Sequence, residues 1–102
     1  MSIMRLWHGE VPREKGDEYE QFMLDTAVPD YSSITGLEKL YFQRRNEDVV
    51  THFLLVTIWD SLDSIKKFAG ENPDIAKYYP EDDDFLINKE KHVSMYNVFY
   101  EQ

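Results

Sequence analysis

The stretch Val49 to Gly70, VVTHFLLVTIWDSLDSIKKFAG, constrains this chain more than any other. Its first half is a strand pattern. His52, Leu54, Val56 and Ile58 fall on one face, and Thr51, Phe53, Leu55, Thr57 and Trp59 on the other, because successive side chains of a strand point to opposite sides. β-branched and aromatic residues dominate, as a pleated surface favours. Asp60 or Ser61 then offers a side-chain oxygen to cap a helix. Leu62, Ile65, Phe68 and Ala69 recur at helical spacing, and Gly70 followed by Pro73 closes the helix. Both faces of the strand are apolar, which a small sheet with one solvated face does not need.

The rest of the chain supplies partners for that unit. Met4 to Val11 alternates as a first strand, with Leu6 and His8 on one face, Arg5 and Trp7 on the other, and Pro12 at its end. Glu14 to Ala27 reads as a helix through the stripe Tyr19, Phe22, Met23 and Ala27. Asp17 with Glu20 suits a capping box, and Pro29 is expected to end or kink the helix. Ile34-Thr35-Gly36 turns into a second strand, Leu37 to Arg44. The polar loop Asn46-Glu47-Asp48 then makes an antiparallel hairpin with the Val49–Trp59 strand. Asp74 to Tyr79 has room for a helical turn, and a last strand is expected from His92 or Val93 to Tyr100. The order β-α-β-β-α-β is the α+β, ferredoxin-like arrangement: one antiparallel sheet with two helices on one face. Strand order 4-1-3-2 is expected, with the first and third strands central and running parallel. The last strand is also two-sided, with Val93, Met95 and Phe99 against Tyr96, Val98 and Tyr100. A sheet apolar on both sides in so short a chain predicts a homodimer with closed two-fold symmetry.

Composition narrows the function classes. At 102 residues a single domain, residues 1–102, is expected. The net charge of −9 argues against nucleic acid, which needs Lys and Arg to displace counterions from phosphates. Cysteine is absent, which excludes disulfides and thiolate chemistry. No stretch approaches the ~20 apolar residues of a membrane span, and MSIMRLWHGE lacks the pattern of a secretory signal. No membrane partner and a cytoplasmic location are the expectations.

The segments WHGEVP, DEYEQF, VPDYSSITGLEKLYFQRR, LLVTIWDSLDSIKKFAG and YYPEDDDFL, in that order, resemble the antibiotic biosynthesis monooxygenase-like family. The most specific pieces are Trp59-Asp60-Ser61 leading to Phe68-Ala69-Gly70, and Tyr79-Pro80-Glu81-Asp82. The resemblance covers most of the chain and implies a dimeric α+β barrel. It also implies a small aromatic or polyketide-like ligand and, in the oxygenases of the family, cofactor-independent monooxygenation. Haem-degrading relatives carry an Asn on the first strand, a Trp on the second helix and a His after it. Here the helix position falls on Phe68 and the His position near Tyr78, and the first strand has no Asn, so haem degradation is not expected. Where close relatives carry His-Tyr on the last strand, this chain has Met95-Tyr96.

The expected parallel pairing brings His8 and Glu10 to the Trp59 end of the sheet, and the last strand brings His92 there. His8 or His92 would then act as a base on a phenolic or enolic proton, since imidazole titrates near neutrality. The carbanion so formed reacts with O₂ without a cofactor in the family's oxygenases. Trp59, Phe68, Tyr78, Tyr79 and Glu10 are the expected substrate contacts. No metal is expected: His52 is assigned to the opposite end, and the remaining His-His-Glu set lacks local ligand spacing. Each residue also has a structural reading, with the histidines as hydrogen-bonded strand ends, Trp59 as core, and Tyr78 and Tyr79 as clamps on the connector. Three function classes stand: a cofactor-independent monooxygenase or related enzyme, a non-catalytic binder of a small apolar ligand, and a structural dimer. A cavity lined by His8 or His92 favours the first, a dry apolar cavity the second, and a filled space between sheet and helices the third.

Overall fold

The computed structural model describes residues 2–102. Four strands, β1 (Ile3–Pro12), β2 (Leu37–Asn46), β3 (Val50–Trp59) and β4 (Ser94–Asn97), form one sheet in the order β2-β3-β1-β4. Every neighbouring pair is antiparallel. The fold class is therefore the expected α+β, ferredoxin-like one, with a single correction that matters for the site. β1 and β3 are neighbours but antiparallel, with Ile3 opposite Trp59, His8 opposite Leu54 and Glu10 opposite His52. The crossover from β1 returns the chain so that β2 runs parallel to β1. The hairpin then reverses β3 against both.

The crossover is one helical run rather than a helix that stops at Ala27. A short 3₁₀ turn leads into α1 (Gly16–Phe22), a π turn spans Met23–Ala27, and α2 (Val28–Ser32) follows. Pro29 has no N–H to give the carbonyl four residues back, and the wider π turn just before it carries the helix past that missing bond. No side-chain cap forms at the start of α1. Asp17 and Glu20 instead accept from Arg44 Nη1, at 3.0 Å each, fastening α1 to the edge strand.

The second unit follows the sequence closely. Ser61 caps α3 (Leu62–Ala69), accepting from the Ser64 backbone N–H at 3.2 Å. Gly70 ends it at φ +97°. Gly36 has φ +106°, and a Cβ there would lie 2.1 Å from Ser64 Oγ, so only glycine fits where β2 meets α3. No helical turn forms at Asp74–Tyr79; the 3₁₀ turn comes later, at Pro80–Asp84. β4 is shorter than expected, and Tyr96, Phe99 and Tyr100 are exposed.

All helices cover one face. Arg5, Trp7 and Val11 of β1 and Thr51, Phe53, Leu55, Thr57 and Trp59 of β3 are buried beneath them with Tyr19, Met23, Ala27, Tyr31, Ile65 and Phe68. The other face carries Leu6, His8 and Glu10 of β1, His52, Leu54, Val56 and Ile58 of β3, and Tyr41, Gln43 and Arg45 of β2, in cross-strand rows.

Candidate functional site

The helix-covered interior is packed. Phe68 stacks on Tyr31 with ring centroids 4.1 Å apart, and Lys77 Nζ sits 4.4 Å from the Phe68 centroid. Trp59 is fully buried, and its indole N–H donates to Thr57 Oγ1 at 2.7 Å. Arg5, only 1% exposed, spends its guanidinium on the carbonyls of Pro73 and Ile75 at 3.1 and 3.0 Å. It thereby holds the connector to the sheet. Tyr79 donates to Asp30 Oδ2 at 2.7 Å, and Tyr19 donates to Asp82 Oδ1 at 2.7 Å. Burial pushes the Asp82 carboxyl above its ordinary range and the Tyr31 phenol up to about 12. The space left among Trp7, Tyr19, Tyr31, Lys77, Tyr79 and Asp82 is about 10 Å³, no more than one water.

The expected site residues are thus dispersed. Trp59 and Phe68 are core. Tyr79 ties the connector to α2. The Tyr78 hydroxyl donates to the Glu90 carbonyl, so this residue clamps the connector on itself. His92 lies outside β4, faces Asp74 at 3.3 Å and is largely exposed. Trp59 lies at the end of the sheet opposite Ile3, whereas His8 lies further along β1, opposite Leu54.

What the antiparallel pairing does bring together is His8, Glu10 and His52, on the helix-free face. His52 stands directly across from Glu10 and diagonal to His8. The two imidazoles meet edge to edge, with centroids 5.3 Å apart and His8 Nε2 3.0 Å from His52 Nδ1. Each outer nitrogen has a carboxylate: His8 Nδ1 meets Glu90 Oε2 at 2.7 Å, and His52 Nε2 meets Glu47 Oε1 at 2.9 Å. Glu10 Oε1 is 3.5 Å from His52 Nδ1. The hairpin loop supplies Glu47. Glu90 arrives because Asn88 bridges to Glu10 and Ile87 N–H donates to the Glu10 carbonyl, laying the connector along β1. The hydrogen bond from His52 is the main reason the Glu47 carboxyl sits below its usual range.

The row Glu90–His8–His52–Glu47 has three contacts, and each needs one proton. Two neutral imidazoles carry two protons between them. The pair is therefore one proton short of full hydrogen bonding and completes the row by taking up a third. Next to it lies an open cleft of about 340 Å³ lined by His8, His52, Gln43, Arg44, Arg45 and Leu54. That volume is at the small end for a ligand site. Sequence reasoning found His8 and Glu10 but set His52 aside, because the sense of β1 against β3 was taken the wrong way round. No periodic signal points to Glu90.

No family model matches the chain, and no curated protein is similar to it. Among solved structures the chain is similar to a candidate antibiotic biosynthesis monooxygenase from Bacillus cereus. The TM-score is 0.67 at 11% identity, over 99% of this chain and 96% of that one. At that identity the likeness is one of fold. The four-stranded antiparallel sheet with its helices on one face is the architecture of that monooxygenase-like protein.

Proposed function

We propose that the chain binds a small, acidic aromatic or polyketide-like molecule in the His8–His52 cleft and holds it as its anion. The observation that carries this reading is the proton-deficient row of two imidazoles between two carboxylates, set beside a cleft with cationic and apolar walls. A phenol or enol placed there gives its proton to the pair and completes the row. Leu54 supplies an apolar wall; Arg44 and Arg45 also line the cleft, but each is already paired, Arg44 with Asp17 and Glu20 and Arg45 with Glu47. The anion is electron-rich and is the form that meets O₂ without a redox cofactor, the chemistry implied by the resemblance to the monooxygenases. In this reading the chain is a homodimer, with its apolar helix-free faces together.

The test uses 2-naphthol and an anthrone as probes at neutral pH. The naphtholate absorption band should appear on binding to the wild-type protein, and oxygen uptake should accompany the anthrone. Both should be lost in His8→Ala and His52→Ala and kept in His92→Ala. Failure of both probes to bind, or signals unchanged in the first two variants, defeats the reading.

One observation supports a second reading. The space among Trp7, Tyr19, Tyr31, Lys77, Tyr79 and Asp82 is filled to within about 10 Å³, as a structural dimer without pocket chemistry would have it, while a separate open cleft of about 310 Å³ lies at the edge of the helical layer, lined by Met23, Leu24, Phe42 and Phe53. Failure of the probes would favour it.

A further inference from the structure

We infer that His8, Glu10 and His52 form a binding site for a divalent transition-metal ion of the zinc type. One ligand atom from each of the three lies within 4.8 Å of the others. The two imidazole nitrogens are already 3.0 Å apart. Tetrahedral zinc with bonds of about 2.0–2.1 Å places its ligand atoms about 3.3 Å from each other, so the nitrogens part by a few tenths of an ångström and both rings turn so that their lone pairs, which now face each other head-on, meet at the ion. Glu10 is about one-third exposed and has the freedom to close the third bond.

The stronger argument lies one layer out. A metal-binding histidine nearly always donates its other N–H to a carboxylate or carbonyl, which fixes the tautomer and aims the lone pair at the metal. Both histidines have that partner: Glu90 on His8 Nδ1 and Glu47 on His52 Nε2. With the outer nitrogens protonated, His8 Nε2 and His52 Nδ1 direct two lone pairs at one point. Either a shared proton or a cation must stand there. Three carboxylates, Glu10, Glu47 and Glu90, surround the point. Arg45, which lines the same cleft, is occupied with Glu47 Oε2 at 3.4 Å. Two nitrogens and one oxygen suit zinc and its borderline neighbours, whereas magnesium and calcium seek oxygen alone. Three protein ligands leave a fourth position, open to the cleft beside Leu54 and Gln43. A cation there takes the place of the third proton of the row, and an anionic ligand oxygen would complete its shell.

This inference shares residues with the proposed function but does not rest on it, because metal binding is measured with no organic ligand present. Zn²⁺ is titrated into the metal-free full chain by calorimetry near neutral pH, and Co²⁺ is followed by its visible spectrum. The expected result is one Zn²⁺ per chain with micromolar affinity or better. Co²⁺ should give an intense tetrahedral-type band, and Mg²⁺ and Ca²⁺ should not compete at a hundredfold excess. His52→Ala should abolish the stoichiometric event. Glu90→Gln, which leaves all three ligands in place, should weaken it about 10–100-fold. His92→Ala should leave it unchanged. Absence of saturable binding up to 100 μM Zn²⁺ overturns the site. So does binding that survives in a folded His52→Ala, or binding lost in His92→Ala. Should His52→Ala fail to fold, the Glu90→Gln result decides alone, and unchanged affinity there counts against the site.

Discussion

The two faces of this sheet are built to opposite rules. The helix-covered face packs Trp7, Phe53, Leu55 and Trp59 against Tyr19, Tyr31, Ile65 and Phe68, and most of its buried polar groups have internal partners such as Pro73, Ile75, Asp30 and Asp82, the Trp7 indole N–H being the exception. The open face changes character along its length. At one end the rows Tyr41–Val56–Leu6 and Lys39–Ile58–Met4–Tyr96 are mostly apolar. At the other the row Arg45–His52–Glu10, with His8 beside it, is ionic. Stability is thus concentrated on one side. The histidines His8 and His52, with Glu10, Glu47 and Glu90 around them, gather on the other. A fold analogy alone does not locate chemistry; the distribution of unsatisfied valence does.

The contrast is broken most directly from the packed side. Trp59 is fully buried and touches both Tyr31 and Phe68. Trp59→Ala leaves a cavity that the surrounding rings cannot fill, and it removes the donor to Thr57 Oγ1, which keeps only its own bond to the Arg5 carbonyl. The expected cost is about 3–5 kcal/mol, read as a large fall in the urea midpoint with an unchanged slope. A loss under 1 kcal/mol would mean that the interior is far more plastic than its packing implies.

A smaller effect with a pH signature is expected at Asp82. Its oxygens accept from Tyr19 Oη and from the Tyr79 N–H, both at 2.7 Å. Burial is the dominant influence and raises the carboxyl pKa in the folded state. The native protein therefore binds this proton more tightly than the unfolded chain does. The stabilisation it contributes is fully present below the unfolded pKa of ~3.9 and is lost as pH rises through the higher folded value. Tyr19→Phe removes one donor to the charged form and should cost about 1–3 kcal/mol, with the larger loss at pH 7 than at pH 4. Chemical denaturation at the two pH values measures this. An equal loss at both would show that Asp82 is not the titrating partner.

The same contrast bears on what the sequence made legible. β3, Ser61, α3 and Gly70 could be read almost to the residue, because period-2 alternation, a capping side chain and a C-terminal glycine are local signals. The π turn was not legible, since Pro29 announces a broken hydrogen bond but not how the chain accommodates it. The cluster on the open face escaped the sequence for two different reasons. The relation of His8 to His52 was available in principle: a helical crossover makes β1 parallel to β2, so a hairpin partner of β2 inserted beside β1 must run against it. Glu90 was not available, because it reaches His8 from 82 residues away through a connector with no repeating pattern. Tyr78 and Tyr79 look like ligand walls in sequence and prove to be clamps for the same reason.

The smallest expected effect on the fold of one chain comes from the open face, and it sharpens the comparison there. Val56 sits at the centre of the apolar rows, between Tyr41 and Leu6. In a lone chain Val56→Asp exchanges a favourable strand residue for a poor one on a solvated surface, at a cost of about 1 kcal/mol or less. In a homodimer joined by these faces, two buried carboxylates would meet across the two-fold axis with no cation to pair them. Light scattering should therefore report two chains for the wild type and one for Val56→Asp. The wild-type melting temperature should rise with protein concentration, as mass action requires of a dimer, and that dependence should vanish in the variant. If the wild type already scatters as a single chain at micromolar concentration, the apolar end of the open face is not a self-association surface, and its two-sided pattern needs another occupant.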